Sequence, residues 1–143
     1  MYEYHGWIAL RETYRNDDEM DDEFPDGELQ KIINRIRVKI DEIGQDNGML
    51  DLRPCNGEYY IHLFGFRNHK EPRNKEIMGI YELAAAIAVG SYGLLYEHDD
   101  EAEDGSENEF VVHALSKGKI TKRKDPFLSP FIGIVEDEYI QNS

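Results

Sequence analysis

LQKIINRIRVKIDEIGQDNGMLDLRPCNGEYYIHLFGFR, Leu29 to Arg67, changes its apolar period once, and that change decides the fold. In its first half Leu29, Ile32, Ile33, Ile36, Ile40 and Ile43 recur at steps of 3, 1, 3, 4 and 3. That spacing predicts one apolar stripe on an amphipathic helix. Gln30, Lys31, Asn34, Arg35, Lys39 and Asp41 take the other face. Gly44 supplies the helix stop and Asp26 the N-cap, with acidic residues ahead of it at the positive end of the helix. In the second half the period falls to two. Met49 to Arg53 and Glu58 to Arg67 are predicted as strands, joined by a turn at Pro54-Cys55-Asn56-Gly57, in which Asn-Gly is the stronger hairpin signal. Along the second of these strands Tyr59, Ile61 and Leu63 face one side. Tyr60, His62, Phe64 and Phe66 face the other.

Outward from this block, Glu3 to Tyr14 alternates Tyr4, Gly6, Ile8 and Leu10 with His5, Trp7, Ala9 and Arg11, the pattern of a strand. On the other side a polar connection, Asn68 to Arg73, leads into a second helix from about Asn74 to Gly90. Its stripe is Ile77, Ile80, Tyr81, Ala84, Ile87 and Ala88, and Ala84 to Ala86 favour the helix and close packing. Gly93 to Tyr96 begins another strand. Phe110 to Leu115 and Lys119 to Arg123 form a hairpin through Ser116-Lys117-Gly118. The tail, Asp125 to Tyr139, is expected as a docked coil, because Phe127, Leu128, Phe131, Ile132 and Ile134 call for burial. The order predicts an α+β fold: a ferredoxin-like βαββαβ core with an added hairpin and docked tail, two helices covering one face of an antiparallel sheet.

The length of 143 residues predicts one domain, 1–143, large enough for a core without staples. The single cysteine, Cys55, cannot close an internal disulfide. MYEYHGWIALRETYR lacks a basic and then apolar leader, and Leu83 to Val89 is too short to span a bilayer. The chain reads as soluble and cytoplasmic.

The charge is patched. Asp17, Asp18, Glu19, Asp21, Asp22, Glu23, Asp26 and Glu28 fill one stretch without Lys or Arg. Glu97, Asp99, Asp100, Glu101, Glu103, Asp104, Glu107 and Glu109 fill another. Together they hold 16 of 30 acidic residues, so removing their −16 from the net −14 leaves the rest near +2. Such patches repel nucleic acid and anionic membranes and attract a basic partner. The basic stretch Lys117, Lys119, Lys122, Arg123 and Lys124 balances the acidic loop entering the same hairpin.

Catalytic and ligand motifs are weak. Gly90-Ser91-Tyr92-Gly93 follows a helix and precedes a strand, the reverse of a phosphate-binding turn. Aligned on a calcium loop, Asp100 fits position one, but Ala102 and Val111 fall where ligands are required, so a solvated acidic loop is the stronger reading. His5, His62, His69, His98 and His113 have no metal-ligand spacing, although His5, His62 and His113 are expected in strands that share a face. Cys55 has only Arg53 nearby to activate it. The clustered carboxylates read as a solvated surface and not as an acid–base pair.

Three segments carry a family resemblance: Tyr2-Glu3-Tyr4-His5-Gly6-Trp7-Ile8, Gly93-Leu94-Leu95-Tyr96 leading to Asp99-Asp100-Glu101, and Lys124-Asp125-Pro126-Phe127-Leu128-Ser129-Pro130 followed by Glu136-Asp137. In that order they resemble the immunity protein 7 family of bacterial polymorphic-toxin and contact-dependent inhibition systems, from near residue 2 to near residue 138. The family ending carries Cys and Pro where this chain has Phe131 and Gly133. The resemblance implies an antitoxin that binds a cognate toxin C-terminal domain and performs no reaction, with no cofactor, nucleic acid or membrane involved. Many such toxins are nucleases with basic clefts, which the acidic runs would complement. Asp17, Asp18, Glu19, Asp21, Asp22, Asp99, Asp100, Glu101, Glu103 and Asp104 are the expected partner-binding residues. Trp7, Tyr14, Tyr60 and Phe66 are expected anchors if their strand face is open. Gly6-Trp7 and Asp125-Pro126 are expected to hold the fold. Two rival readings stay open: a small enzyme or ligand-binding domain on the same scaffold, which needs a concave pocket with converging polar groups, and a nucleic-acid mimic.

Overall fold

The computed structural model describes residues 1–13 and 26–138. Six strands form one sheet: β1 (Tyr2–Leu10), β2 (Gly48–Cys55), β3 (Glu58–Arg67), β4 (Tyr92–Asp99), β5 (Val111–Ser116) and β6 (Lys119–Lys124). Helices α1 (Asp26–Ile43) and α2 (Arg73–Ile87) complete it. The strand order is β2-β3-β1-β4-β5-β6, and every pairing is antiparallel. The first four strands stand in the ferredoxin-like order, with the hairpin extending the sheet beyond β4.

Alternation along the strands sorts side chains between two faces. Tyr4, Ile8, Leu50, Ile61, Leu63 and Leu95 are buried together with Ile33, Ile36 and Ile40 of α1 and Ile77, Ile80, Tyr81 and Ala84 of α2. Each fully buried Ile or Leu contributes roughly 1.5–3 kcal/mol of transfer free energy. Two glycines make the packing possible. A Cβ on Gly6 would overlap the Tyr81 hydroxyl, and one on Gly65 would overlap the Tyr4 ring. Tyr81 uses that space to donate to the Leu94 carbonyl at 2.7 Å. Gly6 therefore holds the fold, as its sequence context implied.

The hairpins are tighter than the sequence suggested. Only Asn56 and Gly57 form the β2–β3 turn, at φ 51° and 81°, and Lys117 and Gly118 repeat it at 53° and 72°. Positive φ at both central residues is the type I′ requirement. Pro54 and Cys55 stay in β2, where an edge strand tolerates a proline. The first strand ends at Leu10 and not at Tyr14, which lies outside the described residues. The second helix starts at Arg73 and stops at Ile87, short of Gly90.

Arg73, which the sequence placed in a polar connection, is fully buried. Its guanidinium donates to the carbonyls of Ile43, Gly44 and Gln45 and to the Tyr4 hydroxyl. It satisfies the carbonyls left open at the C-terminus of α1 and carries the positive charge that this end of a helix dipole favours.

The tail overturns an expectation. Of Phe127, Leu128, Phe131, Ile132 and Ile134, only Phe131 is buried; Phe127 is 78% exposed and the other three are 46–51% exposed. A short irregular segment, closed by Glu136 N–H to the Phe131 carbonyl and turned by Gly133 at φ 123°, inserts one ring and leaves the rest outside. Asp125 anchors its start, accepting from Leu128 N–H at 2.8 Å.

Candidate functional site

Both helices lie on one side of the sheet, so the alternate residues of the same strands form an open face. Cross-strand partners share a face, and the register sets the rows: His5 beside Phe64 and Tyr96, Trp7 beside His62 and Leu94, Ala9 beside Tyr60 and Tyr92. Phe64 is 46% exposed, Phe66 49% and Tyr92 38%, while Trp7, Tyr60 and Tyr96 are half-buried. Ring contacts order the surface. Trp7 meets Tyr92 edge-on at 5.8 Å, His5 stacks on Phe64 at 6.5 Å, and the Arg11 guanidinium lies 5.2 Å over Tyr92. Exposed, mutually supported aromatics are what binding surfaces use as anchors.

At the end of the sheet where β1 begins, the tail crosses this face. The Phe131 ring stacks on His98 at 4.0 Å with 4° between planes, and Phe110 packs on both. His98 Nε2 meets the Glu107 carbonyl at 3.0 Å. Between the tail and the face lies a groove of about 670 Å³, floored by Phe66 and Tyr96 and walled by Phe127, Leu128, Phe131 and Val135.

The second acidic run sits at this same end, and the structure divides it. Glu97 is buried and faces the helices. Tyr2 O–H, Asn74 Nδ2–H and His113 Nε2 all meet its carboxylate. Burial pushes that carboxyl up, yet the hydrogen bonds from His113 and Tyr2, with the His113 and Lys70 charges, outweigh it and hold it below the ordinary range. Burial and the Glu97 charge push the Tyr2 phenol up. A polar pocket of about 240 Å³ adjoins this cluster. Three donors already engage Glu97, so the cluster joins β1, β4, β5 and α2 more than it offers free ligand positions.

The rest of the run is surface. Asp100, Glu101, Glu103 and Asp104 are exposed, and Asp99 is half-buried with its carboxylate accepting from Glu101 N–H. Asp99, Asp100 and Glu101 bring carboxylate oxygens within 4.8 Å of one another. The Met1 ammonium lies 2.7 Å from Asp100 and 3.6 Å from Glu101, and His69 lies 2.7 Å from Glu101. The His69 hydrogen bond, with the nearby positive charges, lowers the Glu101 carboxyl. Ser106 lowers Asp104 in the same way. Lys122 and Lys124 of β6 lie 3.9 and 3.7 Å from Asp104 and Glu109, so the basic hairpin does balance the acidic loop.

Of the residues singled out in the sequence, Asp17, Asp18, Glu19, Asp21, Asp22 and Tyr14 lie outside the described residues. Trp7, Tyr60 and Phe66 do share an open face. The three strand histidines do not share one: His5 and His62 are on the open face, whereas His113 points to the helix side, because it pairs with Leu95. Cys55 is exposed at the end of β2. Sequence reasoning missed Phe64, Tyr92 and Tyr96 as surface groups and the Glu97 cluster altogether. The signal for Phe64 was present, since β3 has large apolar residues on both sides while two helices can cover only one.

No helix among the described residues is long and apolar enough to cross a membrane. The family model for immunity protein 7 matches residues 1–137. The chain belongs to that family, which makes it an immunity protein of a toxin system with a toxin as its partner. No curated protein and no solved structure matches it.

Proposed function

We propose that this member of the immunity protein 7 family acts as a single domain, in the cytoplasm, by binding a basic toxin C-terminal domain such as a nuclease and blocking it without a reaction of its own. The observation that carries this reading is the juxtaposition of an exposed aromatic sheet face with the acidic loop Asp99 to Glu109 at one end of the sheet. Carboxylates on a loop raise the rate of encounter, and aromatic anchors retain the partner. The loop begins where β4 pairs with the start of β1. Asp99, Asp100, Glu101, Glu103 and Asp104 thus stand at the end of the sheet that carries Phe66 and Tyr96, and Asp17, Asp18, Glu19, Asp21 and Asp22, which lie outside the described residues, are proposed to add to the attraction.

Association kinetics across a salt series test this. The wild-type on-rate with its cognate toxin domain is expected to fall steeply as the Debye length shrinks toward about 8 Å. Neutralising Asp100, Glu101 and Glu103 together is expected to lower the on-rate and flatten its salt dependence. An on-rate indifferent to both salt and these substitutions would show that the acidic runs serve solubility alone.

A further inference from the structure

The groove between the tail and the open face has a composition that selects its occupant. Its floor and walls are apolar: Phe66 and Tyr96 from the sheet, Phe127, Leu128, Phe131 and Val135 from the tail. Its ionisable side chains are Glu3, Asp125, Glu136 and His5, and no Lys or Arg stands among the described lining residues; the one other cation there, the Met1 ammonium, is paired with Asp100 at 2.7 Å and Glu101 at 3.6 Å. Asp125 is buried and turned to the tail backbone. Glu3 is engaged by His5 at 2.8 Å, and Glu136 is exposed. The acidic loop adds Asp100 and Glu101 beside Met1 at the same end. An apolar slot with a negative mouth suits a long cationic side chain, whose methylene stem lies on aromatic faces while its head stays at the rim.

Resting on the antitoxin reading, we infer that this groove receives a Lys or Arg side chain of the toxin, together with an adjacent apolar residue, and that it is the principal anchor of the complex. The stem packs on Phe66 and Tyr96, the apolar neighbour packs on Phe127 and Leu128, and the cation faces Glu3 and Glu136. The volume falls in the range of side-chain and ligand pockets, roughly 300–1,000 Å³. The outward-turned tail residues, which contribute little to the core, gain a role as the wall of the pocket.

Binding of the full chain to its cognate toxin domain tests this with Phe66→Ala, Phe127→Ala and Glu136→Lys. Val38→Ser, on the 58% exposed outer face of α1, serves as control, and circular dichroism checks each variant for folding. The three groove variants are expected to weaken Kd by about 10-fold or more, through a faster off-rate, with Val38→Ser unchanged. Loop neutralisation acts on the on-rate, so the two contributions separate. If the wild type binds and the groove variants bind equally well, the groove assignment falls while the antitoxin reading stands. If the wild type fails to bind the toxin domain, both fall. If the wild type dimerises in sedimentation and Phe66→Ala makes it monomeric at unchanged toxin affinity, the occupant is a second copy and the inference is overturned.

Discussion

The two faces of one sheet are made by the same strands and differ in almost every other respect. On the helix side Ile8, Ile61 and Leu95 are fully covered, two glycines clear space for tyrosine rings, and the polar groups that go under are matched: Arg73 to four acceptors, Glu97 to three donors. One residue along each strand, Trp7, His62, Tyr96 and their neighbours stand partly in water. The helix side behaves as a core, while the open side keeps large rings partly in water. Large rings held exposed lose transfer free energy that burial would return, which is the physical basis of the binding role proposed for this face.

Substitutions on the two faces sharpen the contrast. The largest loss is expected from Ile36→Ala, since Ile36 is fully buried between α1 and the sheet. Chemical denaturation should register roughly 2–5 kcal/mol. Phe64→Ala on the open face should cost well under half as much, and equal losses would show the open face to be core. Next is Glu97→Gln, which keeps the shape but weakens the charge-assisted bonds from Tyr2, Asn74 and His113, at on the order of 1–3 kcal/mol. This loss carries a pH signature. A carboxyl held below its ordinary value of 4.5 binds fewer protons folded than unfolded. Its contribution is therefore complete above about 4.5 and disappears as pH falls through the lower, folded value. The stability difference between wild type and Glu97→Gln should shrink accordingly when denaturation is repeated from about pH 6 down to about pH 3. A difference that is constant or growing would mean that Glu97 does not work as an anion there. The smallest effect is expected from Asp100→Asn in the exposed loop, within about 0.5 kcal/mol. A loss comparable to that of Glu97→Gln would erase the division of the acidic run into a structural member and surface members.

Much of the fold was legible because periodicity is local. The apolar stripe of α1, the alternation of β3 and the Asn-Gly turn each depend on residues a few positions apart, and the order of elements then admits few topologies. The tail shows where that logic stops. Apolar content called for burial, but there was room for one ring, between His98 and Phe110, and the strand pairing created that room. Arg73 and Glu97 show the same limit for polar residues. In sequence, one belongs to a polar connection and the other to an acidic run. In space, one reaches the carbonyls at the end of α1, thirty residues earlier for Ile43, and the other collects donors from three elements.

The sequence by itself determined the α+β class, the helix stripe, the two-sided strands and the patchy charge, because each follows from side-chain type and spacing along the chain. It also carried the family resemblance, in three short segments. The tertiary structure decided which side of each strand is covered, which acidic residue is structural, and that Phe66, Tyr96, the groove and the acidic loop meet at one end of the sheet. Those outcomes depend on which elements become neighbours, and burial, hydrogen-bond satisfaction and field strength are set by neighbours in space, not by neighbours in sequence.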